Sequence, residues 1–165
     1  MVRFDEAYGC GCKETEVTIS GVAVDCGWLM EQHEATYAEN LEAMKAFEFM
    51  RAKGMNVLID HEGKILAEYE RNLAPNTFGK KLFIHLMKLQ MFYSVSGTET
   101  RACTACLDEV DFDPSDRPYI SAAQHGRGAY LTHESKHHVS ARVSQIATRC
   151  GVPILDTAAF AILMS

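Results

Sequence analysis

DFDPSDRPYISAAQHGRGAYLTHE, running from Asp111 to Glu134, is the stretch on which the reading of this chain turns. Three carboxylates within six residues open it, a helical pattern follows to about Gly126, and Gly128 leads into the apolar run AYLT. A short apolar run after a helix reads as a strand buried inside a parallel sheet. The carboxyl end of such a strand is where open α/β sheets gather their ligands, and here it delivers His133 and Glu134. Asp113 and Asp116, at the start of the helix, also have the residue type of helix caps. The stretch therefore poses one question: whether its acids form a site or only punctuate a fold.

Working outward, the same alternation recurs on both sides. Upstream, VTI and GVAVD form a β-branched strand ending at Asp25, and Gly27 permits a sharp exit. A helix is expected from about 35 to 53, with Tyr37, Leu41, Met44 and Phe47 as its apolar stripe and Gly54 as its stop. MNVLI is a second strand, closed by Asp60. The next helix, about 63 to 73, buries Ile65, Leu66, Tyr69 and Leu73 and sets Glu68 at the edge of that stripe. Another helix runs from Phe78 to about Phe92, capped by Asn76 or Thr77, and residues 94–112 read as a cysteine-bearing loop. Downstream, Val139, Val143, Ile146 and Cys150 mark a helix stopped by Gly151, VPIL is a further strand, and Thr157 caps a last short helix. This pattern predicts an α/β fold: a three-layer α/β/α sandwich around a central, mainly parallel sheet of four or five strands. One domain spans 1–165, with residues 1–14 as an N-terminal arm or edge strand.

Composition narrows the function classes. A chain that is 47% hydrophobic and 23% charged can bury an ordinary core. No apolar run is long enough to span a bilayer, and the N-terminus lacks a signal peptide's apolar segment, so a soluble, cytoplasmic protein without membrane association is expected. With 22 acidic against 16 basic residues, the net charge of −6 argues against broad, charge-driven binding to nucleic acid. It leaves room for a nuclease, which needs acids to hold metal and gathers cations locally. Lys80, Lys81 and Lys88 are one such group, and Lys136, His137, His138, Arg142 and Arg149 another; both also suit solvated helix faces.

The six cysteines lie at 10, 12, 26, 103, 106 and 150. In a cytosolic chain they are expected to be reduced. Cys10 and Cys12 in C-x-C, with Cys103 and Cys106 in C-x-x-C, could complete a tetrahedral structural zinc site if the arm folds against the loop. The competing reading is of buried or incidental thiols. Cys26 and Cys150 read as small core residues.

The acids distribute in a way that permits convergence. Asp25 ends the first strand, Glu68 rides the helix after the second, Asp116 opens a helix and Glu134 ends another strand. Four carboxylates brought together repel unless a cation lies between them. Magnesium or manganese, as one or two ions, suits an all-oxygen set of this kind. Asp113 is a reserve ligand or a cap. Thr132 could hydrogen-bond a carboxylate or a phosphate, Lys136 and Arg142 could hold a substrate backbone, and His133 is a substrate contact or a bystander.

VAVD with Asp25, ILAEYERNL with Glu68, DPSDRPYISAA with Asp116, AYLTHE with Glu134 and the terminal GVPILDTAAFAIL together resemble the ordered elements of the PIN-domain nucleases. The resemblance runs from about Val17 to Leu163. It implies metal-dependent hydrolysis of phosphodiester bonds in RNA, through Asp25, Glu68, Asp116 and Glu134, as in the endoribonuclease toxins of toxin-antitoxin pairs and in RNA-processing enzymes. An antitoxin or a second copy of the chain would then be a partner. Two departures stand out. Where the family follows its first aspartate with Thr or Ser and then Asn, this chain has Cys26 and Gly27; where the family has Asp after Thr-Gly or Thr-Asn, this chain has Thr132, His133 and Glu134. These changes motivate an alternative, a catalytically degenerate domain of the same fold that binds RNA or protein.

Overall fold

The computed structural model describes residues 19–164. The expected N-terminal arm, and with it Cys10 and Cys12, lies outside the described residues. Five strands form one sheet: β1 (Gly21–Val24), β2 (Asn56–Asp60), β3 (Phe92–Val95), β4 (Ala129–Leu131) and β5 (Ile154–Leu155). Their order is β3-β2-β1-β4-β5 and every pairing is parallel. β1 is central and all four of its residues are buried, as expected of a strand covered on both faces.

Eight α-helices occur among the described residues. α1 (Cys26–Glu31) and α2 (Tyr37–Ala52) connect β1 to β2; α3 (Lys64–Asn72) and α4 (Phe78–Lys88) connect β2 to β3. α5 (Arg101–Glu109) and α6 (Arg117–His125) lead to β4, α7 (Ser140–Cys150) to β5, and α8 (Thr157–Leu163) follows. α1 touches α3 and α4, and α2 touches α8, whereas α5 packs on α7 and α6 lies along β1, β2 and β4. Right-handed crossovers send the connections moving one way along the sheet to one face and those moving the other way to the other. The result is an α/β arrangement compatible with three layers.

Sequence signals account for most boundaries. Thr36 and Glu39 form a reciprocal capping box on α2, Thr77 caps α4, and Gly54 and Gly151 follow α2 and α7 at φ 68° and 70°, a backbone conformation that glycine adopts without strain. The cap of α8 is Asp156, which accepts from Ala159 N, and not Thr157, whose hydroxyl accepts from Trp28 Nε1.

Three further expectations are corrected. Residues 94–112 are not a loop: they contain the end of β3 and helix α5, in which Cys103, Cys106 and Leu107 are the buried face. The buried face of α2 is Ala43, Ala46, Phe47 and Met50, while Tyr37 is 84% exposed and Leu41 also faces solvent. Phe47 and Phe160 of α8 meet Trp28 edge-on, so that aromatic cluster turns the helix away from the face its larger side chains suggest. Finally, Cys103 is bridged by a disulfide to Cys150 with Cα atoms 4.7 Å apart, which ties α5 to α7. A sulfur spent in that bond is not a thiolate ligand, and Cys106 is a buried free thiol, so the four-cysteine zinc site is not assembled.

Candidate carboxylate and histidine centre

The strand order reverses between β1 and β4, and that crevice at the carboxyl ends of the strands is the topological switch point of an open α/β sheet. Asp25 leaves β1 there. Its backbone N–H still donates to Leu131 O at 2.9 Å, so it stays in register with β4. Its Oδ1 accepts from Gly27 N at 3.0 Å, capping α1, and its Oδ2 accepts from Thr132 Oγ1 at 2.7 Å. Thr132 is fully buried and bonds the carboxylate, one of the two uses foreseen for it. The same Oγ1 accepts from Glu134 N at 3.2 Å, linking the two acids through one hydroxyl.

Asp116 answers the question raised by the opening stretch. It precedes α6, yet its side chain makes no cap hydrogen bond. Its Oδ2 instead lies 2.8 Å from His137 Nε2 and 3.2 Å from Lys136 Nζ. Asp113 does the turn work: its Oδ1 accepts from Ser115 N and Ser115 Oγ, and its Oδ2 from Lys136 Nζ at 3.1 Å. These contacts hold the Asp113 carboxyl well below the usual carboxylate range, the Ser115 bonds contributing most.

Glu134 is not the last residue of the strand, since β4 ends at Leu131. It heads a 3-10 turn, Ser135–His137, with Oε2 at 2.7 Å from Lys136 Nζ and 3.7 Å from His137 Nε2. Glu68 is half-buried on α3, and its Oε2 accepts from Tyr119 Oη at 3.0 Å. Tyr119 in turn accepts from Cys26 N at 3.2 Å, so one phenol ties α6 to α3 and to the start of α1.

The four expected acids share one electrostatic neighbourhood. Burial pushes the Asp25 carboxyl above its ordinary value of 3.8, and the charges of Asp116 and Glu134 push it further; Thr132 and Gly27 oppose them. Glu68 is raised for the same reasons, by burial first and then by Asp25 and Asp116, against the bond from Tyr119. The tightest group, however, is Asp116, Glu134 and His137, whose ligand atoms lie within 4.8 Å of one another. Asp25 and Glu68, two of the expected metal ligands, are not members of that group, although the charge of Asp116 acts on both.

His137 was not separable by sequence from the basic run 136–149. It is 0% exposed, stacked on Phe112 at 4.6 Å between centroids and met edge-on by Tyr130 at 5.9 Å. Its Nε2 faces the acids, and its Nδ1 is buried without a hydrogen-bond partner. The available signal was its position three residues after Glu134. Tyr119 was also missed; nothing in its spacing distinguishes it from a core aromatic.

The other foreseen residues are placed as follows. Lys136, expected to hold substrate, puts its ammonium among Asp113, Asp116 and Glu134, which hold its pKa above the ordinary value. Arg142 Nη1 donates to Lys136 O at 2.7 Å, and Arg149 pairs with Glu109. His133 Nε2 lies 2.7 Å from Glu31 Oε1. Cys26 has its thiol pushed up to about 12 by burial, Glu68 and Asp25, so it stays protonated and is no nucleophile. No helix among the described residues is long and apolar enough to cross a membrane. Comparison with family models, with curated proteins and with solved structures returned no match.

Proposed function

We propose that this chain is a PIN-like, magnesium- or manganese-dependent ribonuclease that hydrolyses phosphodiester bonds in single-stranded RNA. The observation that carries the reading is the convergence of Asp25, Glu68, Asp116 and Glu134, from four separate segments, on the switch-point crevice of a parallel sheet, where burial and mutual charge hold Asp25 and Glu68 above their ordinary pKa values. The donor set fits a hard divalent cation: carboxylate oxygens dominate, with one imidazole at the edge. A primary ammonium already seated against two of these acids, Asp116 and Glu134, and against Asp113 marks the place as one that takes positive charge.

A divalent ion bound there supplies Lewis acidity, making water nucleophilic near neutral pH and offsetting charge on phosphoryl oxygens. The chain's own residues set the geometry. Thr132 and the Gly27 amide fix both oxygens of Asp25, Tyr119 fixes Glu68, and the clamped ring of His137 fixes Asp116. Lys136, on a flexible stem, can turn from the acids to a substrate phosphate once a cation replaces its charge. A cytoplasmic location, which that reading would favour, would set the Cys103–Cys150 bridge in reducing conditions.

Lys136 also favours a second reading, in which its ammonium permanently occupies the cation's place and the domain binds RNA or a protein without cutting. One experiment separates the two. Purified protein should cleave a single-stranded RNA with manganese or magnesium, stop in chelator, and lose at least about 100-fold in rate in Asp25→Asn and Asp116→Asn that remain folded. RNA binding without cleavage under either ion would support the binding module and overturn the ribonuclease.

A further inference from the structure

α5 packs chiefly on α7. The buried face of the one is Cys103, Cys106 and Leu107, and that of the other Val143, Ile146 and Cys150. The Cys103–Cys150 bond fastens the pair covalently, and Arg149 pairs with Glu109 beside it. The same two helices lead directly into the acid centre. At the end of α5, Phe112 N donates to Leu107 O at 2.8 Å, so Phe112 moves with that helix, and its ring stacks on His137. His137 lies on the turn that runs into α7, where Arg142 Nη1 donates to Lys136 O at 2.7 Å. His137 Nε2 in turn meets Asp116 Oδ2 at 2.8 Å, while Nδ1 has no partner, so packing against Phe112 and Tyr130 sets the ring's orientation. The bridge and the Phe112–His137 stack are two fastenings of one α5/α7 pair, and the second of them orients Asp116.

We propose that the Cys103–Cys150 bridge is a redox switch on the acid centre: the bridged chain keeps Phe112 on His137 and Asp116 in place, whereas reduction to two thiols frees α5, slackens the stack and slows cleavage. The effect on cleavage rests on the ribonuclease reading; the coupling of bridge to centre does not. The reductant is a dithiol, small or carried by a protein. One of its thiolates attacks Cys150 Sγ, the less deeply buried sulfur's residue at 5% exposure against 0% for Cys103, and the S–S bond breaks to release Cys103 as a thiolate that takes up a proton. The second thiol then displaces Cys150, which is protonated in its turn as the dithiol closes to its own disulfide, so two electrons and two protons pass to the pair. Cys150 is the last residue of α7, before Gly151, and helix ends fray, which opens a path for the attack. Cys106, one turn along α5 from Cys103, is a buried thiol whose pKa burial pushes up, so it stays protonated and leaves the pairing undisturbed.

The test compares the whole chain oxidised and reduced by dithiothreitol, with the reductant removed before assay. Peptide mapping after alkylation should place the reducible bond at Cys103 and Cys150. Hydrogen exchange in chelator should quicken on reduction by about 10-fold or more over residues 101–112 and 135–139, with β1 unchanged, a factor well within what a bridge of sequence separation 47 supplies. With manganese, the reduced chain should cleave single-stranded RNA more slowly by about 5- to 150-fold, the usual range of coupling between two sites, and reoxidation should restore the rate. Cys103→Ser with Cys150→Ser should match the reduced chain and ignore the reductant; if that variant does not fold, the reduced and reoxidised wild type carry the comparison. A folded chain whose bridge resists the dithiol, equal exchange over 135–139 in both states, or equal cleavage by both overturns the switch and leaves the ribonuclease reading standing. Exchange that responds to reduction while neither state cleaves RNA upholds the coupling and overturns the ribonuclease reading.

Discussion

Asp25→Asn separates two accounts of the same side chain. If Asp25 matters as the cap of α1, asparagine replaces it at little cost, because Asn caps as well as Asp and its carbonyl oxygen can still accept from Gly27 N. Its amide can donate to Thr132 Oγ1, which has a second lone pair for Glu134 N. If Asp25 is instead a charge held against Asp116, Glu134 and its own desolvation, removing that charge stabilises the metal-free protein. We expect a gain of about 1 kcal/mol at pH 7, the usual size for relief of one unfavourable polar or charged site. For a chain of this length that raises Tm by about 2–4 °C.

The pH dependence fixes the sign. Asp25 titrates near 3.8 when unfolded and higher when folded, so between the two values the native state binds the extra proton. Wild-type stability therefore falls as pH rises from 3.8 through the folded pKa, and the variant lacks that loss. In thermal unfolding with chelator, the advantage of Asp25→Asn should be absent below pH 3.8 and full at pH 7. Manganese should reverse the ranking, since only the intact acid set gains stability from ligand binding. An Asp25→Asn protein that is no more stable than wild type at pH 7 in chelator would refute the burial of a charge, added to by repulsion from Asp116 and Glu134, as the dominant effect at this residue.

Further outcomes follow from the surrounding contacts. Lys136→Met removes the cation that competes for Asp113, Asp116 and Glu134, and calorimetry should show manganese affinity rising by about tenfold, the equivalent of 1.4 kcal/mol, a modest figure because the ammonium is partly exposed and screened. An unchanged or weaker affinity would mean that Lys136 does not compete. Tyr119→Phe deletes a donor to Glu68 and an acceptor for Cys26 N; denaturant unfolding should report a loss of about 1–3 kcal/mol. Cys103→Ser with Cys150→Ser opens a bridge of sequence separation 47, for which chain entropy gives about 4 kcal/mol as the stabilisation lost in urea unfolding without reductant. Gly79→Ala drives a Cβ into the backbone carbonyl of Leu29, where α4 crosses α1, and should lower stability by about 1–3 kcal/mol.

What the sequence made legible, and what it hid, has physical causes. β1, β2 and β4 are buried on both faces and announce themselves as unbroken apolar runs. β3 is an edge strand of four residues with Tyr93 and Ser94 exposed, so FYSV carries neither an apolar run nor an alternation to detect. α5 carries its helical period on Cys103, Cys106 and Leu107, and thiols at that spacing read first as a metal motif. α2 buries two alanines, which weigh little beside Tyr37 and Leu41 in any apolar count. The acids Asp25, Glu68, Asp116 and Glu134 were legible because each follows or flanks an apolar element. His137 was not, because a histidine within a run of basic residues looks solvated until the ring's neighbours Phe112 and Tyr130 arrive from other segments.

β4 ends at Leu131, and Glu134 stands beyond the strand at the head of the 3-10 turn, further from the sheet than a residue in the strand would be. Its Oε2 arrives within 3.7 Å of His137 Nε2. Charge divides the site unevenly. Lys136 neutralises the side formed by Asp113, Asp116 and Glu134, and makes no ion pair with Asp25 or Glu68 among the described residues. Burial first, and then the charge of neighbouring acids, pushes both of those carboxyls up. One ammonium cannot serve both halves. A single cation reaching both halves would have to lie nearer Asp25 and Glu68 than Lys136 does.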